Sequence, residues 1–170
     1  APGDGRGMTR RAGLITYAHP EPFHTAQMDT VERTLSALGA DVAIERFFGC
    51  RDGASMDAAA ERLAAWRPDV VVSFMTNADL AVIAATEHSR PPIVCWSMDP
   101  RDAGLVTSMT RPGGRLTGVA FPPGLQAMQL RVLKLLKPAA RRIGMLCHYG
   151  YAPARGARDK LVAAGAMFGV

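Results

Sequence analysis

The chain has 170 residues, 48% of them hydrophobic and 21% charged, with a formal net charge of +5. That is ample apolar material for a buried core and too little charge for global disorder. The positive charge comes mostly from scattered arginines, with no basic run interleaved with aromatics, so the footprint of a nucleic-acid binder is missing.

Residues 1–9 read as a flexible leader. Gly13 to Tyr17 is the first apolar run and predicts a strand. Met28, Val31, Leu35 and Leu38 recur at helical spacing, and Gly39 ends that helix. Val42-Ala43-Ile44 opens a second strand. A loop through Gly49 to Gly53 precedes a helix expected from about Ser55 to Trp66, with Ser55 as its N-cap. Val70 to Phe74 is a β-branched run of the kind found in central parallel strands. Thr76 or Asn77 can cap a third helix that reaches about Glu87. Ile93 to Ser97 predicts a fourth strand and Leu116 to Phe121 a fifth.

Phe121-Pro122-Pro123-Gly124 is the strongest break in the second half. Beyond it, Leu125, Met128, Val132 and Leu135 line one helix face. Arg142 to Cys147 predicts another strand, and Ala157, Leu161, Ala164 and Phe168 mark a last helix. Strands alternate with helices throughout. The fold class is therefore α/β, a Rossmann-like parallel sheet in the order 2-1-3-4-5 with right-handed crossovers and helices on both faces.

Few chemical motifs are present. Cys50, Cys95 and Cys147 are odd in number and widely spaced, so they make neither a disulfide framework nor a CxxC pair. Cys95 and Cys147 lie in apolar runs and read as buried thiols. His19, His24, His88 and His148 show no metal-ligand spacing, and no GxSxG, Walker A or GxGxxG motif occurs. No catalytic residue, metal or cofactor is assigned.

One long segment is more specific. Ile93-Val94-Cys95-Trp96 runs into Ser97-Met98-Asp99-Pro100. Ala103-Gly104-Leu105-Val106 follows, then Arg111-Pro112-Gly113-Gly114 and Leu116-Thr117-Gly118. This order resembles "IPIVF…DPV.AGLV.SL.RPGGN.TG" of the ABC-transporter substrate-binding proteins of the aromatic-amino-acid (TrpX-like) family. Trp66-Arg67-Pro68-Asp69-Val70-Val71-Val72 is similar to the family's "KPDVIV". Gln129 to Pro138 is similar to "LELLKELLP", and Arg141 to Leu146 to "KRIGVLY". The likeness spans about residues 13 to 168.

The resemblance implies a type I periplasmic-binding-protein-like architecture. Residues 10–121 would form the first ligand-binding lobe. Residues 122–170 would be a crossover and the incomplete opening of a second. It further implies an extracytoplasmic solute-binding component of an ABC importer, periplasmic or extracellular and held at the membrane through permease subunits. The solute would be a small organic molecule, an amino acid by the family's suggestion, captured between two lobes. No nucleic-acid partner is implied, and a chain whose second lobe is mostly missing would be open to self-association. The alternative reading is a small-molecule enzyme or a ligand-sensing regulatory domain on the same sheet.

In open parallel sheets ligands bind beyond the carboxyl ends of the strands. Tyr17 and His19 resemble the family's "EHPAL" loop there, and can either contact a solute or pack and fix the loop. Met75, Thr76, Asn77 and Ala78 resemble "GTPAA", with Met75 at the glycine and Asn77 at the proline. A hydroxyl and the N–H groups opening a helix suit a carboxylate, and the same residues can serve as a helix cap. Trp96, Ser97 and Asp99 end the fourth strand. Asp99 can hold an ammonium group or simply start a turn before Pro100.

Overall fold

A computed structural model of the chain describes residues 9–17, 22–49, 53–98, 100–121, 124–146 and 152–170; at Gly53 and residues 152–155 it describes the backbone alone. Among the described residues, the first part forms one parallel sheet, with strands β1 (Arg10–Thr16), β2 (Val42–Phe48), β3 (Val70–Phe74), β4 (Ile93–Ser97) and β5 (Leu116–Ala120). Their spatial order is β2-β1-β3-β4-β5, and every neighbouring pair is parallel. This is the predicted order.

Between the strands run α1 (Pro22–Ala37), α2 (Gly53–Trp66) and α3 (Thr76–Ala85). The period-2 alternation of the strands divides their side chains between two apolar layers. Ile15, Phe47, Val71, Ile93 and Cys95 pack against Leu63, Ala59 and Ala60 of α2 and Ala78 and Val82 of α3. Leu14 and Phe74 pack on the other face against Met28 of α1, with Ile44, Phe48, Val72 and Trp96 beside them. Helices thus cover both faces.

Two glycines show how tightly these layers approach. A Cβ on Gly13 would lie 3.0 Å from Leu63 Cδ1, so α2 rests directly on β1. Gly118 has φ of 149°, and a Cβ there would lie 1.9 Å from the carbonyl oxygen of its register partner Cys95. No side chain fits that position. Arg115, just before β5, donates to Thr86 O, Thr86 Oγ1 and Ile83 O at 2.8–3.0 Å and so closes the C-terminal end of α3.

The remaining elements are α4 (Leu125–Leu136) and α5 (Ala152–Phe168), which pack on each other. Several local expectations are corrected. The Arg142–Leu146 part of the expected sixth strand carries no strand pairing, because no neighbouring strand among the described residues completes a ladder with it. Cys147 lies outside the described residues, as do 1–8 of the expected leader and Pro122–Pro123 of the break. α2 starts at Gly53, which puts Ser55 inside its first turn and not at the cap. α3 is capped by Met75, not by Thr76 or Asn77, and ends at Ala85 because residues 86–89 tighten into a turn. β1 and β5 each stop one residue short, before Tyr17 and Phe121.

Candidate functional site

The carboxyl ends of β1, β3, β4 and β5 converge on one edge of the sheet. The β3–α3 junction is the most unusual of these. Met75 has φ of 80° and ψ of 141°, a region that glycine occupies freely and other residues enter at a cost of about 1–3 kcal/mol. It is held there from both sides. Its N–H donates to Trp96 O at 2.9 Å, and its carbonyl accepts from Ala78 N and Asp79 N at 2.9 and 3.2 Å.

Thr76 and Ser97 are fully buried, and their hydroxyls lie 3.0 Å apart. Thr76 Oγ1 also accepts from Met98 N–H at 3.2 Å. The clasp ties the start of α3 to the end of β4, so the loops after β3 and β4 form one unit. Ala78 turns its methyl into the core. Asn77 is half-buried at the helix start, and Tyr17 packs at the margin of the α2–α3 core layer.

Of the residues singled out from the sequence, the structure therefore brings together Met75, Thr76, Trp96 and Ser97. It puts Ala78 in the core, with Tyr17 packed against the same core layer. His19 and Asp99 lie outside the described residues.

Trp96 leads to residues that sequence reasoning missed. Its ring stands 5.3 Å from Phe121, at 51°, and 6.1 Å from Phe23, at 54°. Phe23 in turn makes an edge contact with His24 at 5.2 Å, and His24 Nδ1 lies 3.3 Å from Thr16 Oγ1. Phe23 opens α1, Trp96 lies near the end of β4, and Phe121 follows β5. The aromatic cluster is therefore assembled from three separate strand ends. Phe23 keeps 59% of its surface exposed. The available signal is that each aromatic lies near a strand end, the same signal that selects Tyr17 and Trp96.

Phe121 also walls a cavity of about 370 Å³ with Arg101, Met109, Gln126 and Ala127, between the loop after β4 and the two last helices. An ion pair between Asp102 of that loop and Lys160 of α5 closes its side. None of the sequence-selected residues that are described lines it.

One further group was not anticipated. Asp79, in the first turn of α3, is fully buried, and burial pushes its carboxyl up to about 6. The hydroxyls of Ser73 and Ser97 are near enough to favour the charged form, yet sit off hydrogen-bonding geometry. Burial, then the Asp79 charge, push the Cys95 thiol up to about 12, so Cys95 is a buried thiol as its apolar run suggested. Among the described residues, no group of three His, Cys, Asp or Glu side chains is placed to hold a metal ion.

This architecture has close structural counterparts. A conserved domain protein from Vibrio cholerae superposes with a TM-score of 0.84 at 23% identity, over 96% of this chain and 55% of its own. An ABC domain from Streptococcus pneumonia, solved in complex with L-Trp, gives 0.81 at 23% identity, again over 96% and 55%. A ligand-free, open substrate-binding protein with adhesive properties from Clostridium difficile gives 0.66 at 22% identity, over 94% and 55%. At these identities the likeness establishes the fold, and the chain spans about 55% of the length of each structure. No curated protein matches the chain. The profile described as ABC transporter substrate binding protein matches residues 34–169, well over half of the sequence, and the chain therefore belongs to that family.

Proposed function

We propose that this chain supplies the first lobe, and the start of the second, of an extracytoplasmic solute-binding protein that delivers a small organic solute to an ABC importer. The lobe runs to Phe121, and the crossover follows it. The solute is an amino acid, and an aromatic one is favoured. The observation that carries this reading is the cluster Phe23, Trp96 and Phe121 at the carboxyl edge of the sheet, beside the clasped loops of Thr76 and Ser97. Phe23 is exposed and Trp96 and Phe121 are half-buried, and rings so placed at a sheet edge offer stacking surface to a flat apolar group. The L-Trp held by the Streptococcus pneumonia domain is consistent with such a solute.

Capture needs no bond making. A second lobe closes over the solute and the closed form docks on permease subunits. The site is periplasmic or extracellular, a placement supported by the family.

The test is a thermal-shift screen of amino acids and small acids. With half of a cleft, these residues bind with a Kd of roughly 1 mM and no tighter, because burial of the solute falls short of the usual ~70–90%. At 30 mM a solute with that Kd stabilises by roughly 2 kcal/mol. Aromatic amino acids should raise the melting temperature, and Trp96→Ala should abolish the response. A flat response across the panel, or one unchanged in Trp96→Ala, would sink the proposal.

A further inference from the structure

The cavity of about 370 Å³ between the loop after β4 and the last two helices has room for a small organic molecule. Its lining is of two kinds. Phe121, Met109, Ala127 and Ala164 give it apolar surface. Met109 keeps 45% of its own surface exposed, so apolar area stands open beside the cavity. Arg101, Asp102, Lys160 and Gln126 give it polar surface.

The charges of that polar surface do not cancel. Asp102 is the one acid among the lining residues, and it forms an ion pair with Lys160. Arg101 is left over. Among the described residues its guanidinium has no hydrogen-bond or ion-pair partner. In the family motif DPV.AGLV, valine stands where this chain has Arg101, so the turn needs no cation in order to fold. Its backbone holds it instead. Gly104 N–H donates to Arg101 O at 3.0 Å, and the N–H groups of Leu105 and Val106 donate to Pro100 O at 2.8 and 3.3 Å. Pro100 and Val106 are buried and anchor the turn. Arg101 is thus carried to the cavity on a fixed backbone, and a preset donor fork loses less freedom when it takes up an anion. Gly124, Gln126 and Ala127 bring the start of α4 to the same cavity. Gly124 supplies no side-chain cap there, and the helix dipole adds to the positive potential.

We propose that this cavity binds a small monocarboxylate with an apolar body, its carboxylate on the Arg101 guanidinium and its body against Phe121 and Met109. A carboxylate accepts two parallel N–H bonds from the planar guanidinium, a match that a neutral amide lacks. Gln126 can donate one bond more. Binding there is independent of the solute site proposed above: of the residues argued for that site, only Phe121 lines this cavity.

The experiment titrates hexanoate into the isotope-labelled whole chain and follows amide NMR shifts, with hexanamide as the neutral control. Hexanoate should bind with a Kd of roughly 1–10 mM, as befits a small ligand in an open cavity. It should move the amides of residues 101–105 and 125–128 and leave those of β1 in place. Hexanamide should bind about tenfold more weakly or worse. Arg101→Val changes an exposed side chain, so it should keep the melting temperature within about 3 °C while losing about tenfold in affinity for hexanoate. Arg101→Lys keeps the charge without the fork and should fall between. Arg131→Ala removes an equal charge outside the cavity and should bind hexanoate as the wild type does. Equal binding of acid and amide, or full affinity in Arg101→Val, would overturn the inference. Shifts scattered over the basic residues 131–142 would also overturn it, as unspecific attraction of anions to a positive surface. So would shifts centred on Phe23 and Trp96, which would move the acid to the aromatic cluster. An amino-acid screen that stays silent leaves each of these outcomes readable.

Discussion

The sheet with α1 to α3 and the pair α4–α5 both contain apolar stripes but end in different states. In the first, Leu14, Ile15, Leu63, Val71, Val82 and Ile93 are wholly removed from solvent. In the second, Leu130 and Ala164 are the only buried apolar side chains among the described residues, while Leu135, Leu136 and Met167 are each more than 70% exposed. Met128, Val132, Leu133, Ile143, Met145 and Leu161 line an open apolar groove of about 600 Å³. Leu146, which also lines it, is fully exposed. The apolar stripe of α4 is well formed, so the difference does not lie in helix patterning. A stripe is only an offer of burial, and it becomes a core where a second layer meets it. Five paired strands provide that layer for α1 to α3. Residues 141–146, unpaired, cannot provide it for α4 and α5.

The widest separation between the two regions should come from side-chain deletion. Leu63→Ala removes a wholly buried side chain packed on Gly13 and should cost about 2–5 kcal/mol in chemical denaturation. Leu136→Ala should cost no more than about 0.5 kcal/mol. Equal costs would mean that the groove is filled in solution. That outcome would point to association of copies through α4, which sedimentation would reveal as a concentration-dependent mass.

Gly118→Ala tests the closeness of β4 and β5. With a Cβ driven into the Cys95 carbonyl, the strands must separate or β5 must leave the sheet, at a cost of about 3 kcal/mol or more. Exchange should speed up for β5 amides and stay unchanged in α5.

Asp79 contributes a pH dependence to the first region alone. Its folded-state pKa of about 6 lies above its ordinary value of 3.8. The native state therefore binds more protons than the unfolded chain between those values. Stability is highest when both states are protonated and falls as pH rises through about 6, by roughly 3 kcal/mol in all. The opposite sign, with stability rising over that range after subtraction of the Asp79→Asn curve, would refute the assignment.

The smallest effect is a gain. Met75→Gly should release the strained backbone at the start of α3 and stabilise by about 1 kcal/mol, the relief being partly offset by glycine's greater freedom when unfolded. The Thr76–Ser97 pair should persist in that variant. A loss of stability would show that the methionine side chain contributes more by packing than its backbone costs.

Much of this was legible along the chain. The β-branched run Val70–Val72 and the alternation of strands with helices determined a parallel sheet, and the order 2-1-3-4-5 followed from handed crossovers. The ordered motif from Ile93 to Gly118 carried the family. These are local or pattern properties, written in neighbouring residues. The cap of α3 was misread because Thr and Asn are common caps, whereas here the backbone of Met75 takes the role while Thr76 turns to Ser97, 21 positions away in sequence. The cluster of Phe23, Trp96 and Phe121 depends on strand ends from three crossovers meeting at one edge, which no local pattern encodes. Asp79 reads in sequence as an ordinary acidic residue of a first helical turn, where a charge is welcome. Only the packing of α3 on Ser73, Cys95 and Ser97 removes its solvent and makes it an acid that holds its proton, because desolvation depends on everything around a group and on nothing in its own position along the chain.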